Sequence, residues 1–246
     1  MDSGLYVVAT PIGNLEDISL RAVSVLRAAD LIAAEDTRHS QRLLQHFNID
    51  TPVMAYHDHS GERDLARIGN CLAGGGSVAL VSDAGPPLIS DPGYRLLRYV
   101  QSRGFAVRPV PGPCAAIAAL SVSGLPTDRF LFEGFLPPRA GARERRLAAL
   151  AGEAATLVFY EAPHRVQESL GAMVDTLGGQ REAVLARELT KTFETVRRGT
   201  LAELLDFVGA DQNQQRGEIV LLVAGRERDA GTLSPEMAAL LRRLAR

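Results

Sequence analysis

The chain is predicted to be an α/β protein of two domains, the first built on a largely parallel sheet and the second on a mixed one. Three observations carry this. Short apolar runs alternate with segments of helical period as far as residue 110, the pattern of βαβ units. A cluster of turn residues, PVPGPCAA at 109–116, then breaks the rhythm. Beyond it lie five more strand-like segments with fewer and less regularly interleaved helices. The division gives an N-terminal domain over 1–112, a C-terminal domain over 113–225 and a tail over 226–246.

Taken in order, LYVVA (5–9) reads as a buried strand ended by Pro11 and Gly13. Ser19 suits an N-cap before LRAVSVLRAA, whose apolar residues fall at helical spacing. LIAAE (31–35) is a second strand, followed by the polar helix TRHSQRLLQHF, which Asp36 can cap. PVMAY (52–56) and SVALVS (77–82) are further strands with the helix ERDLARIGNCLA between them. DPGYRLLRYVQSRG reads as a helix ended by Gly104, and FAVRPV as the next strand. In the second half RFLFEGF, TLVFYE, AVLARE, ETVRRGT and GEIVLLVAG are strands, with helices around 142–150, 162–177 and 200–208. The tail holds SPEMAALLRRLAR, whose Ser234-Pro235 makes a sound helix start.

Of the 246 residues, 46% are apolar and 23% charged, the fractions of an ordinary folded chain rather than a disordered one. No apolar stretch approaches the ~20 residues needed to cross a bilayer, and the opening MDSGLYVVATPIGN is unlike a secretory signal. Two cysteines, Cys71 and Cys114, make no disulfide framework and point to a reducing cytoplasm. The net charge is −2, and 26 of the 27 cations are arginine, Lys191 being the single lysine. A polyanionic partner would therefore have to be met by local patches.

The densest motif is LVSDAGPPLISDPGY, Leu80 to Tyr94, where a carboxylate and a glycine follow a buried strand directly. In open α/β sheets ligands bind outside the carboxyl ends of the strands. Gly85 permits close approach of backbone to ligand, and Pro86-Pro87 stiffens the loop. Composition alone leaves ligand binding and a tight strand-to-helix turn equally open, and neither a Walker A loop nor a GxGxxG fingerprint is present. ATPIGNLEDIS (9–19) and AEDTRHS (34–40) place two more polar loops at the same sheet edge. His57-Asp58-His59 lacks a third ligand at zinc spacing, which argues against a metal. RAGARERR (139–146) is either a solvated helix face or a phosphate-contacting patch. Lys191, in RELTKTFET (187–195), is either an ordinary ion-pair partner or an amine whose proton can be lost on desolvation.

Read together, VVATPIGNLEDIS, AAEDTRHS, VSDAGPPLISDPGY, PGPCAAIAALSVSGLP, FEGFLP, FYEAPHR, ARELTKTFE and RGEIVLLVAG resemble the tetrapyrrole methylase-like superfamily, from about residue 4 to residue 225. PIGNLEDIS, AEDTR and YEAPHR are similar to the branch formed by the ribosomal RNA small subunit methyltransferases I. That branch methylates the 2′-hydroxyl of a cytidine in 16S ribosomal RNA. The resemblance implies a class III methyltransferase-like fold, a homodimer, and S-adenosyl-L-methionine in the cleft between the domains. It implies 16S rRNA or the small ribosomal subunit as partner, with no membrane, DNA or metal involved.

Carried over residue by residue, the resemblance assigns the cofactor to Pro11, Ser82, Asp83, Ala84, Gly85, Leu88, Ile89, Ala115, Ala116, Tyr160, Leu189, Glu218 and Ile219. RNA contacts fall to Arg21, Arg38, Arg139, Arg143, Arg145 and Arg146. The reaction is attack of a ribose oxygen on a sulfonium methyl, so the protein must align the reacting atoms and take up a proton. Lys191 acting neutral and Glu161 head the candidates for that base, ahead of His57 and Asp36. The chain departs from the family in two ways: Pro86 replaces the usual threonine of SDAGTP, and the small helical region with which relatives commonly continue is not present after Arg246. The competing readings are a corrin- or sirohaem-pathway C-methyltransferase and a catalytically silent RNA-binding factor.

Overall fold

The computed structural model describes residues 1–57 and 60–226; Asp58, His59 and the helix expected over 234–246 lie outside the described residues. The chain forms two compact units. The first gathers Met1–Val122 with the segments Ala186–Val196 and Gly217–Val220, and the second holds Ser123–Leu185, Arg197–Arg216 and, among the described residues, 221–226.

The first unit alternates strand and helix as the sequence predicts: β1 (Gly4–Val8), α1 (Leu20–Ala28), β2 (Leu31–Ala34), α2 (Thr37–His46), β3 (Val53–Ala55), α3 (Glu62–Ala73), β4 (Ser77–Val81), α4 (Tyr94–Ser102) and β5 (Val107–Val110). The strands form one sheet in the order β3-β2-β4-β1-β5, with every pair parallel. Alternate side chains serve opposite faces, as a pleated strand requires. Tyr6, Val8, Ile32, Ala34, Ala79 and Val81 join a core with Val23 and Leu26 of α1 and Leu43 and Leu44 of α2. Leu5, Leu31, Ala33, Val78 and Leu80 join a second core with Leu65 and Ile68 of α3 and Leu96 and Val100 of α4. Both faces are thus covered, which is why the strands read as continuous apolar runs rather than as alternation.

Local chemistry sets the helix starts. Ser19 accepts a hydrogen bond from the N–H of Ala22 at the head of α1, and Asp36 accepts from the N–H of Arg38 at the head of α2. The sequence reading missed α5 (Ala115–Ser123). Its AAIAALSVS is almost uniformly apolar, with no charged stripe to mark a helical period, and it follows the proline cluster directly.

The later elements are β6 (Phe130–Phe135), α6 (Ala140–Leu150), β7 (Thr156–Glu161), α7 (Val166–Leu177), β8 (Glu182–Arg187), β9 (Thr195–Thr200), α8 (Leu201–Ala210) and β10 (Ile219–Val223). They build a mixed five-stranded sheet in the order β6-β7-β10-β8-β9. The β6–β7 pairing is parallel with a register shift between Phe132 and Gly134, a bulge of the kind that re-aims a side chain. Here the displaced residue is Glu133, whose nearly buried carboxylate is met by Arg146 of α6. Helix α7 packs against both α6 and α8. No helix among the described residues is long and apolar enough to cross a membrane.

Candidate functional site

The strand order reverses between β1 and β4. The connection from β1 passes over β4 to reach β2, whereas the connection from β4 passes back over β1 to reach β5, so the two run in opposite directions across the sheet. Loops leaving β1 and β4 therefore diverge from neighbouring strand ends, and a crevice opens between them.

Those two loops are clasped at one point. Thr10 and Gly85 form a lone antiparallel bridge: the Thr10 N–H donates to the Gly85 carbonyl at 2.9 Å and the Gly85 N–H to the Thr10 carbonyl at 3.1 Å. The Thr10 hydroxyl donates to the Ser82 carbonyl at 3.1 Å. Gly85 has φ +78°, a left-handed value that costs roughly 1–2 kcal/mol once a Cβ is present. Leu88 at φ 74° and Ser90 at φ 64° sit in the same region without glycine's freedom. Such strained residues concentrate at ligand sites, where the surroundings hold them in place. The loop after β2 is drawn in as well, since the Asp36 N–H donates to Asp83 Oδ1 at 3.2 Å.

A cavity of about 410 Å³ opens at this crevice, a size common for small-molecule sites. Thr10 to Gly13 and Leu15 form one wall, Ser82 to Ala84 another, and His39, Ser40, Arg42 and Leu43 of α2 a third. Lys191 and Glu218 close it.

Lys191 is held from two sides. Its Nζ donates to Glu188 Oε1 at 2.9 Å and lies 3.2 Å from Glu218 Oε2. Burial alone would depress its pKa, but the Glu188 hydrogen bond and the Glu218 charge outweigh that and raise it above the usual lysine value. Two carboxylate partners thus favour the ammonium form of Lys191 over the neutral amine expected of a base. Burial would likewise raise Glu188, yet its bonds to Lys191 and to the Glu218 N–H hold it below the usual range. Glu188 Oε1 accepts that N–H at 2.9 Å, and the Glu188 N–H donates to the Glu218 carbonyl at 2.9 Å. One carboxylate thus fastens the segments at 188–191 and 217–219. Asp91 is pushed up by burial, with the neighbouring charge of Asp83 adding to the rise and a hydrogen bond from Ser82 opposing it.

Of the predicted cofactor residues, Pro11, Ser82, Asp83, Ala84 and Glu218 line the cavity, and Lys191 does so too. Gly85 forms the clasp, and Leu88 and Ile89 continue its loop. The Leu189 carbonyl lies 3.1 Å from the place a Cβ on Gly13 would take. Ala115 and Ala116 begin α5, and Ile219 is buried at the start of β10. Tyr160 belongs to the second unit, where its ring stacks edge-on with Phe132 and Phe135.

Glu161 is also in the second unit and is 3% exposed. It accepts from Arg165 Nη2 at 2.6 Å, the Ser169 hydroxyl at 2.5 Å and the Ala162 N–H at 2.8 Å. Both oxygens are engaged by these partners, so the carboxylate anchors the start of α7. Asp36 is held down to about 2 by its bonds to Arg38, which makes it a poor base. His57 is exposed at the end of the loop after β3.

The arginines divide as well. Arg139 and Arg145 are exposed, whereas Arg143 is 5% exposed and paired with Glu168 at 3.2 Å. Arg143 is thereby corrected from a surface contact to an interior one, because α6 turns that position toward the core beside Leu147. Arg21 donates to the Pro109 carbonyl at 2.8 Å, Arg38 pairs with Asp36, and Arg146 with Glu133. The sequence reading missed Gly13, His39, Ser40, Arg42 and Glu188. The α2 residues carry a partial signal, since 39, 42 and 43 are neighbours on the helix at i, i+3 and i+4, directly after a strand end. Among the described residues no group of three or more His, Cys, Asp or Glu side chains is arranged to hold a metal ion.

The family model described as Tetrapyrrole (Corrin/Porphyrin) Methylases matches residues 4–205. The ribosomal RNA small subunit methyltransferase I of Pseudomonas aeruginosa is 60% identical over 236 residues, which covers 96% of this chain and 84% of that relative. The protein of the same name from Escherichia coli O157:H7 is 53% identical, covering 91% and 78%. Among solved structures, a uroporphyrin-III-C-methyltransferase from Thermus thermophilus matches with TM-score 0.63 at 21% identity, covering 89% of this chain and 93% of that one. A cobalt precorrin-4 methyltransferase matches with TM-score 0.65 at 16% identity, covering 89% and 94%. These two likenesses concern the fold alone.

Proposed function

The chain belongs to the tetrapyrrole methylase family, beside its ribosomal RNA small subunit methyltransferases I, and from that premise we propose that it methylates the 2′-hydroxyl of a cytidine in 16S ribosomal RNA with S-adenosyl-L-methionine as donor. The observation that carries this reading is the strand-end cavity, clasped by Thr10 and Gly85 and walled by Ser82–Ala84, in a chain so similar to those relatives.

The residues present fit such a donor. Asp83 and Glu218 bring carboxylates to the cavity, which suits a cationic ligand, while Gly13 and Gly85 let backbone approach closely. S-adenosyl-L-methionine, when bound, supplies a methyl group already activated by its sulfonium. The clasped loops hold their walls at fixed separation, so that alignment is set before the acceptor arrives. Lys191, kept as an ammonium, favours negative charge building on an acceptor oxygen, an electrostatic role rather than proton abstraction. The exposed Arg139 and Arg145 remain available for RNA phosphates and give salt-sensitive attraction without sequence reading. Exposed apolar side chains, Ile117 and Val122 on α5 and Phe130 and Phe135 on the edge strand β6, support a homodimer. A ribosomal substrate and the two free cysteines support a cytoplasmic protein.

Incubation with methyl-labelled donor and small ribosomal subunits lacking the modification, followed by nucleoside mapping, tests the reading. Label in 2′-O-methylcytidine is the expected result. No transfer to subunits, or transfer to a porphyrinoid instead, overturns it.

A further inference from the structure

Ser40 is 4% exposed and lines the cavity, yet its hydroxyl has no hydrogen-bond partner. A buried polar group without a partner costs free energy that folding alone does not return. Helix serines ordinarily avoid this by bonding back onto the preceding turn. Ser24, Ser102 and Ser121 do so here, donating to the carbonyls of Leu20, Tyr99 and Ala118 at 2.8–2.9 Å. The Ser40 hydroxyl makes no such bond, although its backbone N–H reaches the Asp36 carbonyl at 3.0 Å. An alanine would fill the same space more cheaply, so the hydroxyl points to a bound group.

The surrounding charges say which kind. His39 and Arg42 of the same helix, neighbours at i and i+3, also line the cavity and are exposed. Arg42 has no ion pair or side-chain hydrogen bond among the described residues. The nearest acidic residue of that helix start, Asp36, is already taken by Arg38. The carboxylates of the cavity, Asp83 and Glu218, come from the strand-end loops instead. One cavity thus has an α2 wall of hydroxyl and cationic groups and another side on which the carboxylates Asp83 and Glu218 outnumber the one ammonium, Lys191, paired with Glu218.

We infer that the α2 wall, Ser40 with Arg42 and His39, is the subsite for the ribose and phosphate of the acceptor nucleotide, and that the cationic donor takes the acidic strand-end side. This rests on the reading of the chain as an rRNA methyltransferase. Ser40 contributes a hydrogen bond to that nucleotide and Arg42 a charge to its backbone phosphate.

The test uses the full chain with Ser40→Ala, Ser40→Thr and Arg42→Ala. Calorimetry gives the Kd for S-adenosyl-L-methionine, and turnover of unmodified small subunits gives kcat and KM over 50 to 200 mM salt. Ser40→Ala is expected to raise the subunit KM roughly 3- to 10-fold, the loss of one buried hydrogen bond. Its donor Kd should stay within about twofold, its melting temperature should hold or rise, since an unpaired buried hydroxyl is removed, and Ser40→Thr should restore KM. Arg42→Ala should lower the slope of log KM against log salt by about 0.7–0.9, one phosphate contact. A weakened donor Kd with unchanged subunit KM in Ser40→Ala would move the hydroxyl to the donor's side and overturn the inference. An unchanged KM in both Ser40→Ala and Arg42→Ala would also overturn it. Failure of the unsubstituted protein to bind the donor at all is a different result, and it defeats the methyltransferase reading itself.

Discussion

Replacing Glu188 with glutamine isolates the charge that keeps the 188–191 and 217–219 segments together. The amide retains the shape and one oxygen for the Glu218 N–H, now 2.9 Å from Glu188 Oε1. Lys191 loses its 2.9 Å partner and keeps only Glu218, whose side chain is 65% exposed. The pair being broken is 26% exposed at Lys191 and 17% at Glu188. It lies between a surface pair, worth ~0–1 kcal/mol, and a charged buried hydrogen bond, worth ~1.5–3 kcal/mol. A loss of about 1–2 kcal/mol is expected on those scales, measured by urea unfolding at pH 7 with an unchanged m-value. The pH dependence has a definite sign. Glu188 is lowered on folding, so its contribution is present above the ordinary 4.5 and fades as pH falls through its folded value. Lys191 is raised, so its contribution is present below the ordinary 10.5 and fades as pH rises through its folded value. The gap between parent and variant should therefore be level through neutral pH and close toward acid. A gap that is unchanged from pH 7 to pH 3, or smaller than about 0.3 kcal/mol throughout, would refute the account of Glu188 as a charged fastener.

Three further outcomes follow from the geometry. Gly85→Ala puts a Cβ on a residue at φ +78° and should cost about 1–2 kcal/mol in unfolding experiments, with weaker donor binding by calorimetry. Gly13→Ala would bring a Cβ within 2.5 Å of Lys191 Cγ and 3.1 Å of the Leu189 carbonyl, so turnover should fall; unaltered kcat and KM would show that Lys191 yields freely. Glu161→Ala removes one partner of a buried pair and should lower stability by roughly 3–5 kcal/mol. Its kcat per folded molecule should be retained, and a selective loss of kcat would return Glu161 to the chemistry.

Most of the first unit was legible because its central strands β1, β2 and β4 are buried on both faces and each helix on one. LIAA and SVALV could not read otherwise, and Ser19 and Asp36 announced their helices through capping chemistry alone. The helix at 115–123 was hidden because an apolar stretch without a polar stripe has no visible period. At the site, the loops after β1 and β4 were readable from proline and glycine at strand ends. Which charged groups meet there was not. Lys191 and Glu188 come from a segment over 100 residues beyond the Asp83 loop in the chain, and the ionisation of Lys191 depends on Glu218, further on still. Arg143 and Arg145 look alike in RAGARERR, and only the rotation of α6 against its neighbours decides that one is interior and the other at the surface.

The position of β1 in its sheet has a consequence for biosynthesis. Its hydrogen-bonding neighbours are β4 and β5, so the strand has nothing to pair with while β2 and β3 are being made. Gly4 first finds a mate at Ser77, a wait of several seconds at the ~5–20 residues per second of translation. Through that interval LYVV is a sticky ribbon on a nascent chain, and it is the emergence of SVALV that both hides it and brings Thr10 toward Gly85. The clasp around the cavity can therefore close only after the middle of the sheet has assembled.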